Sequence, residues 1–162
     1  MHKKILLACW IVTAIGGTTW AATVPSNLFN DATVATYSPA NAIVAGNGAN
    51  VGSTASGSIS LGANAKALQE NSLAVGSGAQ SQGVNTIAIG RGATVKSDFD
   101  LTVPGKNKES LKSKGAIAIG DGASSYQQGA ISFGQNTEAN GQQAIAIGTK
   151  AKATNRLTVS IG

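Results

Sequence analysis

Asn85-Thr86-Ile87-Ala88-Ile89-Gly90-Arg91-Gly92-Ala93-Thr94-Val95 is the stretch whose reading decides the fold, because its core recurs along the chain. An apolar residue, a small residue, a second apolar residue and a glycine form the block Ile87-Ala88-Ile89-Gly90. The same block stands at Ile59-Ser60-Leu61-Gly62, Leu73-Ala74-Val75-Gly76, Ile117-Ala118-Ile119-Gly120, Ile131-Ser132-Phe133-Gly134, Ile145-Ala146-Ile147-Gly148 and Val159-Ser160-Ile161-Gly162. The anchor glycines step by 14, 14, 30, 14, 14 and 14 residues. A period of this kind marks a repeat protein, to be read as repeats before any isolated motif.

Within a unit, large apolar residues one and three before the anchor alternate with small ones two and four before it, the period of a strand. Three and five residues after the anchor come further small side chains, such as Ala93 with Val95 and Ala123 with Ser125, which predict a second short strand with its own inward face. Between them, Gly90-Arg91-Gly92 and Gly120-Asp121-Gly122 suit a tight turn with positive φ. Asn71, Asn85, Gly57, Gly115 or Gly129, five before the anchor, tolerate the left-handed region and mark a second turn.

Two turns per unit return the chain to its starting side, so successive units stack as coils of a parallel solenoid. One coil buries too little to offset the ordering of its own backbone, and stacked neighbours supply the rest. Large-against-small packing predicts that pairs such as Ile87 and Ile89 fill the lumen. The opposite face of the first strand, Ser60, Ala74, Ala88, Ala118, Ser132, Ala146 and Ser160, is then flat and uncharged, a face for another chain.

A further coil is expected upstream at Asn41-Ala42-Ile43-Val44-Ala45-Gly46, 16 residues before Gly62. The long step from Gly90 to Gly120 has two readings: a degenerate coil, with Leu101 and Val103 in the apolar positions and Pro104 at the anchor, or an inserted loop at about 96–115. Either way its lysines are expected to protrude.

The ends and composition bound the rest. Met1-His2-Lys3-Lys4, the apolar run from Ile5 to Gly17 and the small-residue context before Ala21 read as a secretory signal peptide over 1–21. Residues 22–40, with Pro25 and Pro39, read as an irregular lead-in or cap. Cleavage removes Cys9 and His2, the chain's one cysteine and one histidine. That excludes a disulfide framework, thiolate or imidazole metal sites and Ser/His or Cys/His nucleophile pairs. Of 12 basic and 7 acidic residues, Lys3 and Lys4 leave with the peptide, so the processed chain carries about +3.

No catalytic, cofactor or metal site is expected. The repeated Gly-x-Gly pairs lack the following helix that a phosphate loop needs. Asp98, Asp100 and Glu109 are expected to balance nearby lysines, and the isolated Asp31 and Asp121 do not make the dense oxygen-ligand pattern that calcium binding requires. The cluster Lys106, Lys108, Lys112 and Lys114 either contacts an anionic ligand through its summed potential or forms a solvated loop.

Asn71-Ser72-Leu73-Ala74-Val75-Gly76, Asn85-Thr86-Ile87-Ala88-Ile89-Gly90 and the terminal Thr158-Val159-Ser160-Ile161-Gly162 resemble the YadA-like head repeat of trimeric autotransporter adhesins over about residues 41–162. The resemblance implies an all-β, left-handed parallel β-roll, three chains side by side as a homotrimer, displayed outside a Gram-negative cell and binding host matrix or cell-surface molecules. It implies no nucleic-acid partner and no membrane contact by the head itself. In that family a neck, a coiled-coil stalk and a membrane-anchoring barrel follow the head, whereas this sequence stops at Gly162. The chain is therefore expected to be a fragment or truncated form of an outer-membrane adhesin, or a secreted head.

Other classes fit less well. A hexapeptide β-helix acyltransferase closes its coils about every 18 residues and leans on a histidine. A transmembrane barrel needs strands of about 9–11 residues. An ice-binding solenoid wants one continuous Thr column. A purely structural head without adhesive activity shares every feature of the leading reading.

Overall fold

The computed structural model describes residues 41–96 and 113–162. The signal peptide, the lead-in and the central segment from Ser97 to Lys112 lie outside them. In chain order the strands are β1 (Ile43–Ala45), β2 (Asn50–Val51), β3 (Ile59–Leu61), β4 (Lys66–Ala67), β5 (Leu73–Val75), β6 (Gln80–Ser81), β7 (Ile87–Ile89) and β8 (Thr94–Val95), then β9 (Ile117–Ile119), β10 (Ser124–Ser125), β11 (Ile131–Phe133), β12 (Glu138–Ala139), β13 (Ile145–Ile147), β14 (Lys152–Ala153) and β15 (Val159–Ile161). Odd strands form one eight-stranded sheet and even strands a seven-stranded sheet, each in chain order. Every pairing is parallel, as in Leu73↔Ile87 and Gln80↔Thr94. The fold is an all-β parallel solenoid of about seven turns.

Each coil contributes three residues to the first sheet and two to the second, shorter than the five per strand that the period alone allows. Coils are joined by main-chain bonds between neighbours, such as Ile59 N–H to the Ser72 carbonyl at 2.9 Å and Gln80 N–H to the Ala93 carbonyl at 2.9 Å.

Positive φ marks two corners per coil. One lies five residues before the anchor, at Asn71 and Asn85 as the sequence predicts, and the other two residues after it. The first twelve such corners, from Asn41 to Asn136, are all Asn or Gly; the last three are Gln143 (φ 56), Lys150 (φ 62) and Leu157 (φ 58). Ordinary side chains there crowd their own carbonyl. The anchor is stricter still. Gly90 has φ +129, and a Cβ built on it would overlap the Gly120 carbonyl of the next coil.

Burial reverses the expected lumen. Ser60, Ala74, Ala88, Ala118, Ser132 and Ala146 are fully buried within the single chain, so they line the inside and form no outer face; Ser160, on the last rung, is half-buried. The second-strand residues point inward as expected, with Ala93, Val95, Ala123 and Ser125 all at 0% exposure. The aliphatic pairs expected inside point outward instead: Ile87 and Ile89 are half-buried, Phe133 and Ile147 exposed.

The reason is width. The Ser125 and Ser132 hydroxyls, from opposite sheets, meet directly at 2.7 Å, and Ser125 Oγ also donates to the Ile117 carbonyl across the lumen at 2.7 Å. A space spanned by two serines has no room for two isoleucines. Buried hydroxyls are largely satisfied locally: Ser72 Oγ donates to the Gln69 carbonyl and Thr86 Oγ1 to the Gly83 carbonyl, both at 2.6 Å, bracing the corner between strands.

The long step resolves on the ladder. Ile87 pairs with Ile117 and Thr94 with Ser124, so β7 and β9, and β8 and β10, are adjacent rungs. No rung is left between them for a degenerate coil. The extra residues form an insertion that leaves after Lys96 and returns at the buried Ser113. The first coil is longer by two residues, Gly46 to Gly62, and these fall between β2 and β3.

Gly90→Ala is expected to lower the unfolding free energy by about 2–3 kcal/mol. Lys150→Gly and Leu157→Asn are each expected to raise it by about 0.5–1 kcal/mol. Urea titration followed by far-ultraviolet circular dichroism measures both; a neutral Gly90→Ala would contradict the close stacking of the anchor column.

Candidate interaction surfaces

Two outer faces result from this inversion. On the first sheet, the first and third residues of each odd strand stand side by side over eight rungs, in register through Ile59↔Leu73↔Ile87↔Ile117↔Ile131↔Ile145. All these outward residues are aliphatic apart from Phe133, at 54% exposure. At the end of the stripe Ile161 reaches 76%. Among the described residues the charged ones stay off it, on the second sheet and the corners.

The second sheet turns a polar face outward. Glu138 and Lys152, on neighbouring rungs, pair at 3.0 Å. Asn140 Nδ2 donates to Glu138 at 2.7 Å, and Gln82 Nε2 to Gln80 at 3.0 Å. Lys96 Nζ lies 5.4 Å from the centre of the Tyr126 ring, one rung on. At the corners, Arg91 and Asp121 pair at 2.7 Å. These two are 30 residues apart in sequence yet adjacent in the ladder. Asn71 Nδ2 donates to Asn85 at 3.2 Å, a side-chain rung alongside the backbone ladder.

Chemistry is sparse on either face. Among the described residues no three His, Cys, Asp or Glu side chains gather as metal ligands. A shallow, open groove of about 400 Å³ between Ser124, Tyr126, Glu138 and Lys152 is lined by the Glu138–Lys152 ion pair, each group already engaged with the other. Of the proposed anionic-ligand contacts, Lys114 is exposed on a corner just after the insertion; Lys106, Lys108 and Lys112 fall outside the described residues. The proposed Ala/Ser face is enclosed, and the aliphatic stripe is the surface that sequence reasoning missed. Its signal was present in the same alternation, read with the wrong face inward.

This architecture defines a class: a parallel solenoid of short coils with a small-residue lumen and one apolar outer sheet. The YadA head domain repeat matches residues 53–79, 81–99, 112–137 and 139–162, and the chain belongs to that family, whose members are heads of exported bacterial surface adhesins. The match passes over residues 100–111, inside the insertion between β8 and β9. No curated protein matches the chain.

The titration of Glu138 is displaced downward. The hydrogen bond from Asn140 and then that from Lys152 hold its carboxyl below the ordinary value, against a smaller opposing effect of burial. A depressed carboxyl stabilises the fold above its unfolded-state pKa, and that contribution disappears as pH falls through the lower folded value. Glu138→Gln is therefore expected to cost well under 1 kcal/mol at pH 7, and the difference from the parent should vanish in acid. Thermal unfolding at pH 7 and pH 2.5 checks this; an equal difference at both would show that the carboxylate charge is irrelevant.

Proposed function

We propose that this chain is the non-catalytic adhesive head of a trimeric surface protein, three rolls packing through their aliphatic stripes. They are exported by the segment 1–21, displayed at a Gram-negative outer membrane or released, and present their polar sheets to a host matrix or cell-surface molecule. The observation that carries the reading is the stripe itself. A continuous apolar patch rimmed by polar residues is the mark of an interaction site.

Its periodicity narrows the occupant. A partner must offer apolar rows at the spacing of parallel strands, about 4.8 Å, over eight successive rungs. Another copy of the same roll does this with the same residues. Family membership supports three copies rather than two, and leaves the polar second sheet and the corners as the surface open to ligands.

Light scattering on the size-exclusion peak of the processed protein should return three times the chain mass. Ile89→Lys with Ile119→Lys places charges on adjacent rungs of the stripe and is expected to abolish the trimer. A cooperatively folding monomer in the parent would sink the proposal. Adhesion is read separately, from retention of the trimer on immobilised collagen, fibronectin and heparin. No retention on any of these or on intact host cells would favour a purely structural head.

A further inference from the structure

We infer that Phe133 sets the axial register of the trimer; this rests on the trimeric reading above. An apolar stripe built from equal rungs has a weakness as an interface. Sliding one roll past another by a rung, about 4.8 Å, again sets Ile, Leu and Val against Ile, Leu and Val, and uncovers only the terminal rungs. The ladder itself offers nothing to resist the slip, since each rung repeats the backbone of the last.

Phe133 breaks that degeneracy. It is the third residue of β11, in the column that runs through Ile89, Ile119 and Ile147, and it is the aromatic side chain of that column among the described residues. With 54% of its surface exposed, it stands proud of rungs on either side whose outward residues are aliphatic. With copies level, the three rings share one height and the rolls separate locally at a single rung. After a slip, each ring meets an aliphatic row shaped for a smaller residue, so overpacking arises at one height and a gap at another. Ala45, the small residue of the same column, stands on the terminal strand β1, where a slip leaves at most a gap at the end of the seam and no collision. A single odd residue in a repetitive seam fixes register in coiled coils by the same logic.

Cross-linking tests this. Ile89→Cys and Ile119→Cys, on adjacent rungs of the Phe133 column, are made separately in a Cys9→Ser background, co-expressed, and joined by oxidation or a short bis-maleimide. Mass spectrometry then counts 89–89, 119–119 and 89–119 links. With Phe133 present, same-residue links should exceed 89–119 links about tenfold. In Phe133→Ile the two kinds should become comparable, with trimer mass unchanged. Moving the ring one rung, as Phe133→Ile with Ile147→Phe, should restore the preference.

An unchanged preference in Phe133→Ile would overturn the inference, as would equal link counts in the parent. A trimer giving no link at either position would also overturn it, because the column would then face away from its copies. A monomeric mass would fail the trimeric reading itself, and is told apart from these outcomes by light scattering on the same samples.

Discussion

The structure depends on how closely one coil can lie on the next at its anchor glycine. Each anchor has φ between 112 and 159, a region open to glycine, and from Gly62 through Gly148 a side chain there would strike the carbonyl of the following anchor. With the chain turning so sharply there, and again at the Asn or Gly corners, the two sheets are drawn together until hydroxyls on opposite walls touch. Only Ala, Ser, Thr and an occasional Val fit between them. The aliphatic residues have one direction left, outward.

That ordering makes the single roll incomplete in a defined way. Its interior is filled and its backbone groups are paired along the ladder, so the coil itself is well formed. What remains unsatisfied is one sheet face, apolar over all eight rungs, while charge collects on the opposite sheet and the corners as inter-rung pairs such as Glu138 with Lys152 and Arg91 with Asp121. The division of surfaces follows from the turn geometry.

Much of this was legible in the order of residues. The 14-residue step gave the solenoid, the Asn and Gly positions gave the corners, and the Ala and Ser three and five after the anchor gave the inner wall of the second sheet. The first strand was legible only up to a reflection. Alternation places Ile87 and Ala88 on opposite faces but says nothing about which face is inside, and the usual preference for burying the larger residue points the wrong way when the lumen is too narrow to hold it. The missing quantity was the distance between sheets, set by turns at both ends of every strand. Lys150 and Leu157 in left-handed corners were illegible for a different reason: position relative to the anchor, rather than residue type, dictates that conformation.

The direct adjacency of β7 and β9 leaves an uninterrupted ladder whose inter-coil hydrogen bonds all point along the stacking direction. A tether pulling on one end of such a roll loads those bonds head-on, a rung at a time, instead of shearing many at once. Each coil that opens converts a rise of about 4.8 Å into roughly 46–50 Å of extended chain. The roll is thus a spool as well as a scaffold, and its C-terminal coils are the ones that hold ordinary side chains, Gln143, Lys150 and Leu157, in left-handed corners.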